Sequence, residues 1–303
     1  MSINAVLNFY KPPGMSSAQA VGFIKAMTGE KAGHAGTLDP EAAGVLPILI
    51  GKATKISDYL MDSDKQYLAE IAFGASTDTQ DAQGLVVKTG TNFPDIKSLH
   101  KAVSLFMGEV MQLPPQYSAL KVQGKTAYQL AREGKTADLK KRPVRFDEIS
   151  ILSETENHGF LMRVRCGKGA YIRTLCHDLG VSLQCPAHMR FLLREESAGL
   201  KIEDAVMPED IREWYTGGKV DSSLFVKVEN MLKYLPFFEI PDALRFKAVN
   251  GVPLPVYEIT DMQLGKGAKV CLTIGKELFG IYEKTDSHFR VRVMLGTGES
   301  KKA

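Results

Sequence analysis

GHAGTLDPEAAGVL, residues 33–46, is the stretch that decides how the chain folds. It holds three glycines and three alanines, one histidine, and Asp39 directly before Pro40. Large side chains are scarce in its first half, and from Ala42 to Ile50 the chain is apolar. Small residues running into a short apolar segment describe a tight loop that feeds a buried strand. Asp39 admits two roles. Aspartate before proline is ordinary turn chemistry, its carboxylate bonding nearby main-chain N–H groups. The same carboxylate on a tight loop could also be held for reaction. On these residues alone the turn cap is favoured.

Outward from this loop, strands and helices alternate without a regular βαβ repeat. INAVLNFY (3–10) reads as a strand leading into the turn KPPG. Ser16 or Ser17 then caps a helix with Val21, Ile24 and Met27 on one face, stopped by Gly29. QYLAEIAFG (66–74) alternates like a strand, and STDTQDAQG (76–84) is turn chemistry suited to an antiparallel excursion. Asp95 to Met107 has helical spacing, with Ile96, Leu99, Val103 and Phe106 facing in. A short helix is expected in TAYQLAREG and further strands in VRFDEISILS, FLMRVRC and HMRFLLREESAGL, while GKGAYIRTLCHDLG turns into a helix that starts near Arg173. The expected fold is α+β with a mixed, mainly antiparallel sheet. Past residue 232 three short runs, KVCLTIG, LFGIYEK and FRVRVML, predict a small β domain over 233–303 after a main domain over 1–232.

Composition bounds the class. With 303 residues, 44% hydrophobic and 24% charged, the chain can bury a sizeable core, and disorder is not the default. No apolar run reaches spanning length and the first residues lack a secretory pattern, so no membrane association is expected. Four cysteines without paired spacing fit a reducing cytoplasm. Net charge is only +3, but residues 117–145 hold eight Lys and Arg against Glu133 and Asp138, leaving the remainder at −3. Arg163, Arg165, Lys168 and Arg173 follow within 160–173 with no acid. Cations gathered this way suit a polyanion partner, although a solvated surface loop explains the first segment equally well.

Familiar cofactor signatures are missing. No GxGxxG leads from a strand into a helix, and no GxxxxGK[ST] is present, so no nucleotide cofactor is indicated. Cys185 and His188 have no matching second pair and Cys176 adjoins His177, so no metal is expected. A GxSxG elbow is also absent. Four stretches remain in which Gly or Pro stands beside Lys, Tyr, Arg or Asp: YKPPGMSS (10–17), GHAGTLDPEAAGVL (33–46), LPPQYSALKVQGKTAYQLAREG (113–134) and CGKGAYIRTLCHDLG (166–180). Glycine permits close approach of a ligand to backbone, while basic and aromatic residues suit phosphates and bases.

Taken together in this order and spacing, the four stretches resemble the TruB family of bacterial tRNA pseudouridine-55 synthases, over roughly residues 3 to 200. The tail resembles that family's small C-terminal PUA-like domain. Ala35, Ala42 and Ala43 stand where threonine is common at some sites, Gly167 and Ala170 replace hydroxyl residues, and Ser16 takes a usual threonine position. All are changes of small for small around the expected reactive residues.

The resemblance implies a cofactor-free isomerase that turns the T-loop uridine of tRNA into pseudouridine, with a role in tRNA folding beside it. A non-catalytic RNA-binding or tRNA-folding protein is the alternative. Asp39 becomes the nucleophile, Arg173 the cation that pairs with it and keeps it ionised, and Tyr67 the ring that stacks on uracil and can take its C5 proton. His34 would enter the gap left by the flipped base, while Lys11, Tyr171 and Leu192 would line the substrate site. Residues 117–145 correspond to an insertion that folds over the RNA stem, with Lys121, Lys125, Arg132, Lys140, Lys141 and Arg142 on the RNA backbone. The partner is tRNA, gripped at its T arm and its acceptor end, and the protein is expected to be a cytoplasmic monomer. Amide hydrogen exchange in the free protein is expected to be fast across 117–145 and to slow when a T-arm RNA binds. Slow exchange throughout this segment without RNA would contradict a mobile insertion.

Overall fold

The apolar run after Asp39 forms the strand Ala43–Ile50, buried along its whole length. The computed structural model describes residues 3–122, 124–217 and 222–296. In it this strand lies inside a ten-stranded sheet. Successive neighbours across the sheet are Phe225–Val226, Ala5–Lys11, Ala43–Ile50, Ala187–Ser197, Lys65–Phe73, Gly159–Cys166, Arg142–Thr155 and Gly108–Gln112. The short strands Ala32–His34 and Leu200–Lys201 pair alongside Ala43–Ile50 and Ala187–Ser197. Every pairing is antiparallel except one, where Leu193 and Arg194 lie against Ala43 and Gly44.

Alternation explains which face is wet. Lys65–Phe73 and Gly159–Cys166 bury every second residue along most of their length. Their inner side chains, Tyr67, Ala69, Ile71, Phe160, Met162 and Val164, join one core with Ile24, Leu99, Val103, Leu175 and Leu179 from three helices. Each fully buried aliphatic or aromatic side chain there contributes about 1.5–3 kcal/mol. The opposite face carries charge pairs such as Arg163 with Glu195, bidentate at 2.9 and 3.1 Å.

Local signals set the helix ends. Ser16 caps the helix Ser17–Thr28 in a full capping box with Gln19, and Gly29 ends it in the left-handed region. Asp95 caps the helix Ile96–Ser104, which stops three residues before the expected Met107. Ile96, in the first turn, is exposed rather than turned inward, while Leu99 and Val103 are buried as expected. The polar tract 76–84 does make an antiparallel excursion, closed by pairing of Ala75–Thr77 with Val86–Thr89.

The centre of the sheet is tightly conditioned. Pro47 lies between the residues of its strand that pair with Ala187–Ser197 and those that pair with Ala32–His34, so its missing N–H breaks no ladder. Gly44 has φ +107°, and a Cβ there would sit 2.3 Å from the Arg194 carbonyl oxygen. No side chain fits between these two strands at that point.

Beyond the main sheet, Phe237–Glu239, Lys269–Ile274, Glu277–Lys284, His288–Met294 and Leu254–Pro255 make a separate five-stranded sheet. It packs the helix Asp242–Val249 over its own core of Ile240, Leu244, Phe279 and Phe289. Cys271, Leu278 and Ile281 of this sheet also share an apolar cluster with Val6, Leu49, Ile56 and Leu60 of the main unit. The two sheets therefore dock through a common seam.

Two glycines separate packing from propensity. Gly44→Ala is expected to cost at least about 3 kcal/mol in urea unfolding, through strained φ and a backbone clash. Gly22→Ala, on an exposed helix position with nothing within 4 Å of its new Cβ, should instead stabilise by about 0.5–1 kcal/mol.

Candidate active site

Residues 36–40 are pinned through their backbone at nearly every step. Arg194 donates to the carbonyls of Gly36 at 3.2 Å and Thr37 at 3.3 Å. Leu38 gives its N–H to Ser17 Oγ and receives that hydroxyl's proton at its carbonyl, both at 2.9 Å. The Pro40 carbonyl takes Lys11 Nζ and the Gly14 N–H, each at 2.9 Å. Ser17, which the sequence left as an alternative cap, thus ties the first turn of the helix Ser17–Thr28 to the loop.

Asp39 stands on this fixed backbone with its carboxylate directed away from turn capping. Arg173 Nε lies 2.9 Å from Oδ2, and Arg173 Nη2 donates to Oδ1 at 3.3 Å. The guanidinium is almost fully buried, whereas the carboxylate keeps 37% of its surface exposed. Arg173 is the second residue of the helix Ile172–Ser182. A cation in a first turn opposes the helix dipole. Its compensation comes from Asp39, from Asp81 Oδ2 at 3.5 Å, and from the carbonyls of Thr79 at 3.3 Å and Tyr117 at 3.0 Å.

Burial raises the Asp39 carboxyl above its ordinary value of 3.8, and the Asp81 charge adds to the rise. Arg173, Lys11 and Arg194 pull the other way without reversing it. Arg173 thus lowers the Asp39 pKa as a paired guanidinium should, but desolvation is the larger effect.

A cavity of about 690 Å³ opens in front of this pair. Asp39, Tyr67, Tyr171, Arg173 and Leu192 all line it, so five of the seven expected catalytic and pocket residues meet there. Tyr67 is buried on the strand Lys65–Phe73, and burial pushes its phenol up while Arg194 opposes the rise. Tyr171 precedes the Arg173 helix, and the Gln112 side chain holds it through both main-chain groups, at 2.8 and 3.0 Å. Ala119, Leu120, Arg142 and Pro143 from the basic insertion and its exit close one wall.

Lys11 and His34 lie outside the lining of this cavity. Lys11 is fully buried, and its Nζ donates to the carbonyls of Pro12, Met15 and Pro40 at 2.9, 2.6 and 2.9 Å. Burial brings its pKa down to about 8. It clamps the YKPPG turn to the Asp39 turn. His34 is half-buried on its short strand opposite Ile48, and burial together with Arg194 lowers its pKa.

In the insertion, Lys121–Val122 pairs with Lys125–Thr126, and the helix Ala127–Arg132 follows with a Thr126 capping box. Lys121, Lys125, Arg132, Lys140, Lys141 and Arg142 are all exposed. Lys125 pairs with Glu133 at 2.6 Å, and Arg132 lies over the Tyr128 ring at 5.5 Å.

Two site residues escaped the sequence reading. Asp81 sits in the polar tract 76–84, where turn chemistry accounted for every aspartate. Arg194 lies two residues past Leu192 on the same face of a strand, which was the available signal: a charge where alternation points inward.

Comparison with known proteins follows the same lines. The model of the TruB family pseudouridylate synthase N-terminal domain matches residues 25–172, and that of the tRNA pseudouridylate synthase B C-terminal domain matches 173–234. A tRNA pseudouridine synthase B of Caldanaerobacter subterraneus subsp. tengcongensis is 41% identical over 83% of this chain and 86% of its own. One from Alkaliphilus oremlandii is 38% identical over 94% and 95%. Among solved structures, an H/ACA RNP bound to a substrate RNA containing 2'-deoxyuridine aligns with TM-score 0.74 at 25% identity, covering 97% of this chain and 86% of that one. A Cbf5-Nop10-Gar1 complex aligns at 0.73 and 27% identity, covering 96% and 84%.

The charges around Asp39 make a signed prediction. Carboxyl-carbon NMR should find Asp39 titrating above 3.8. Arg173→Met should move the midpoint further up by removing the facing cation, and Asp81→Asn should move it down by removing the facing anion.

Proposed function

From a chain that belongs to the TruB family of pseudouridylate synthases, we propose isomerisation of the T-loop uridine of tRNA, with Asp39 as the nucleophile. The protein is an RNA pseudouridine synthase, an isomerase acting on tRNA. The observation that carries the detailed reading is the Asp39 carboxylate, held by Arg173 on a pinned loop and facing a cavity beside Tyr67 and Leu192.

The target uridine leaves its stack and enters the cavity, at a cost of a few kcal/mol offset by contacts to the base. Asp39 attacks, at the sugar or at the base, and the bond between C1′ and N1 breaks. The uracil turns so that C5 faces C1′, a C–C bond forms there, and the bond to Asp39 breaks and returns its electron pair to the carboxylate; C5 loses its proton and N1 gains one, so the product is an isomer of uridine. Tyr67 stacks against the ring and accepts that proton. Atoms balance without an external co-reactant, and among the described residues of the lining Asp39 is the carboxylate that meets Arg173, while Asp62 pairs with Lys168 at 2.7 Å. Glycoside hydrolysis, by contrast, ordinarily employs two. Ionised Asp39 is the reactive form, so activity falls as pH drops through its raised pKa.

Outside the cavity, Lys121, Lys125, Arg132, Lys140, Lys141 and Arg142 track the phosphates of the T arm. Residues 233–303 form a second RNA-gripping unit at the acceptor end, and His34 occupies the space vacated by the flipped base. No helix among the described residues is long and apolar enough to cross a membrane. The proposed setting is a cytoplasmic monomer on free tRNA, with affinity that falls steeply as salt rises.

A T-arm minihelix carrying 5-tritiated uridine tests the reading. Wild type should release tritium and yield pseudouridine; Asp39→Asn should bind equally well and release none. Tyr67→Phe should keep KM and lose about 10²-fold in kcat, the ordinary contribution of a general base. Absence of release from wild type would sink the enzyme reading, and free uracil with an abasic site would make the protein an N-glycosidase instead.

A further inference from the structure

Arg194 is among the largest fully buried side chains of the protein, yet no carboxylate among the described residues is bonded to it. Burying a cation costs several kcal/mol unless partners replace its water. Arg194 finds them in backbone alone: Nε donates to Val45 O at 2.7 Å, Nη1 to Thr37 O at 3.3 Å and Nη2 to Gly36 O at 3.2 Å. A guanidinium has five N–H groups in a rigid fork. Three are accounted for by the loop and the strand after it, and two remain.

Those two belong to a side chain that lines the reaction cavity. Arg194 stands directly opposite Tyr67 across the antiparallel pair Ala187–Ser197 and Lys65–Phe73, both side chains line the same cavity, and the guanidinium charge acts on the phenol. One residue thus holds the backbone that carries Asp39 and stands beside the Tyr67 side chain in the same cavity. Its own backbone is locked too, since Gly44 allows the Ala43–Ile50 strand to lie against it without a side chain between.

We propose that Arg194 is a positioning residue that fixes the Asp39 loop and the Tyr67 hydroxyl in one frame and favours Tyr67 as the acceptor of the C5 proton. The proposal rests on the reading of Tyr67 as that acceptor. In the step, the C5–H bond breaks, its proton passes to the Tyr67 oxygen, and its electron pair restores the ring double bond. The guanidinium stabilises the phenolate that must exist beforehand. Around the phenol, the charged and titratable groups are Arg194 on the facing strand, Cys166 on the other neighbour, Asp39 on the loop and Lys65 on its own strand. Arg194 is the group whose charge favours phenolate most strongly, against burial, Cys166 and Asp39. The Lys65 ammonium is turned to the carbonyls of Met61 and Ser63.

The test is single-turnover tritium release from the T-arm minihelix across pH 5 to about 10, for wild type, Arg194→Met, Arg194→Lys and Tyr67→Phe. Arg194→Met should lower the rate by about 10²-fold while minihelix Kd stays within about threefold. Burial places the ionisation limb of Tyr67 above 10.0, so it is followed to higher pH by ring-carbon NMR of the free protein, and in Arg194→Met it should move higher still. Arg194→Lys keeps the charge and should hold most of the limb's position, but a single ammonium cannot span three carbonyls, so the rate should still fall at least about tenfold. If Arg194→Met fails to fold, Arg194→Lys carries the test, and wild-type rates in it overturn the proposal. A limb that depends on Tyr67 but stays in place in Arg194→Met leaves Arg194 a purely structural residue and overturns the proposal alone. A Tyr67→Phe variant as fast as wild type overturns the proton-acceptor reading and this proposal with it.

Discussion

Carbonyl oxygens bound by buried cations are the interaction on which the rest of this molecule depends. Lys11, Lys65 and Arg194 are each buried, and each turns its charge onto main-chain carbonyls instead of a carboxylate. A carbonyl is a fixed dipole, so a cation that gathers two or three of them freezes the turn that carries them. Lys11 joins the turn after the first strand to Pro40, Lys65 closes the turn at 61–63, and Arg194 holds 36, 37 and 45. The loop bearing Asp39 is left with almost no freedom, although it has few side chains large enough to pack.

The sheet is arranged to make this possible. Among the described residues, its only parallel pairing of two strands brings Arg194 beside Gly44, at the place where the Ala43–Ile50 strand leaves the loop. An antiparallel neighbour, Lys65–Phe73, then presents Tyr67 to the same arginine. From the other side, the helix Ile172–Ser182 supplies Arg173, and the 76–84 excursion folds back to give Asp81, anchored by Ala82 and Met189 through the main chain at 3.0 Å. Four separate segments converge on one carboxylate. The Asp39 charge thereby meets fixed groups on its protein side and keeps its open side to the cavity, which is how a polar site is organised before a substrate arrives. The basic insertion is rooted in the same network, since the Tyr117 carbonyl accepts from Arg173.

Much of the fold was legible because alternation and capping are local. The strands around residues 5–11, 65–73, 159–166 and 187–197 and the Ser16-capped helix follow from spacing and cap residues a few positions apart. The inward turn of Ile96 did not follow, because a first-turn residue faces wherever the helix enters, and entry is a tertiary matter. For the site, family motifs brought forward Asp39, Arg173, Tyr67, Tyr171 and Leu192, which do share a cavity. Lys11 was also selected, but its ammonium faces backbone rather than the cavity. Asp81 was concealed by a tract in which every polar residue already had a turn explanation.

By itself the sequence determined the class of fold, the positions of the strands and helix caps, the basic segment and the carboxylate worth testing. These depend on periodicity and on short motifs, which are written in neighbouring residues. Only the tertiary structure decided that Asp39 is no turn cap, that desolvation outweighs Arg173 in setting its proton affinity, and that Arg194, opposite Tyr67, holds the carbonyls of the Asp39 loop. Those outcomes depend on distances between residues far apart in the chain, 134 positions for Asp39 and Arg173 and 158 for Gly36 and Arg194, and on how much water is excluded between them. Burial and Coulomb interaction act through space, and no local pattern along the chain encodes them.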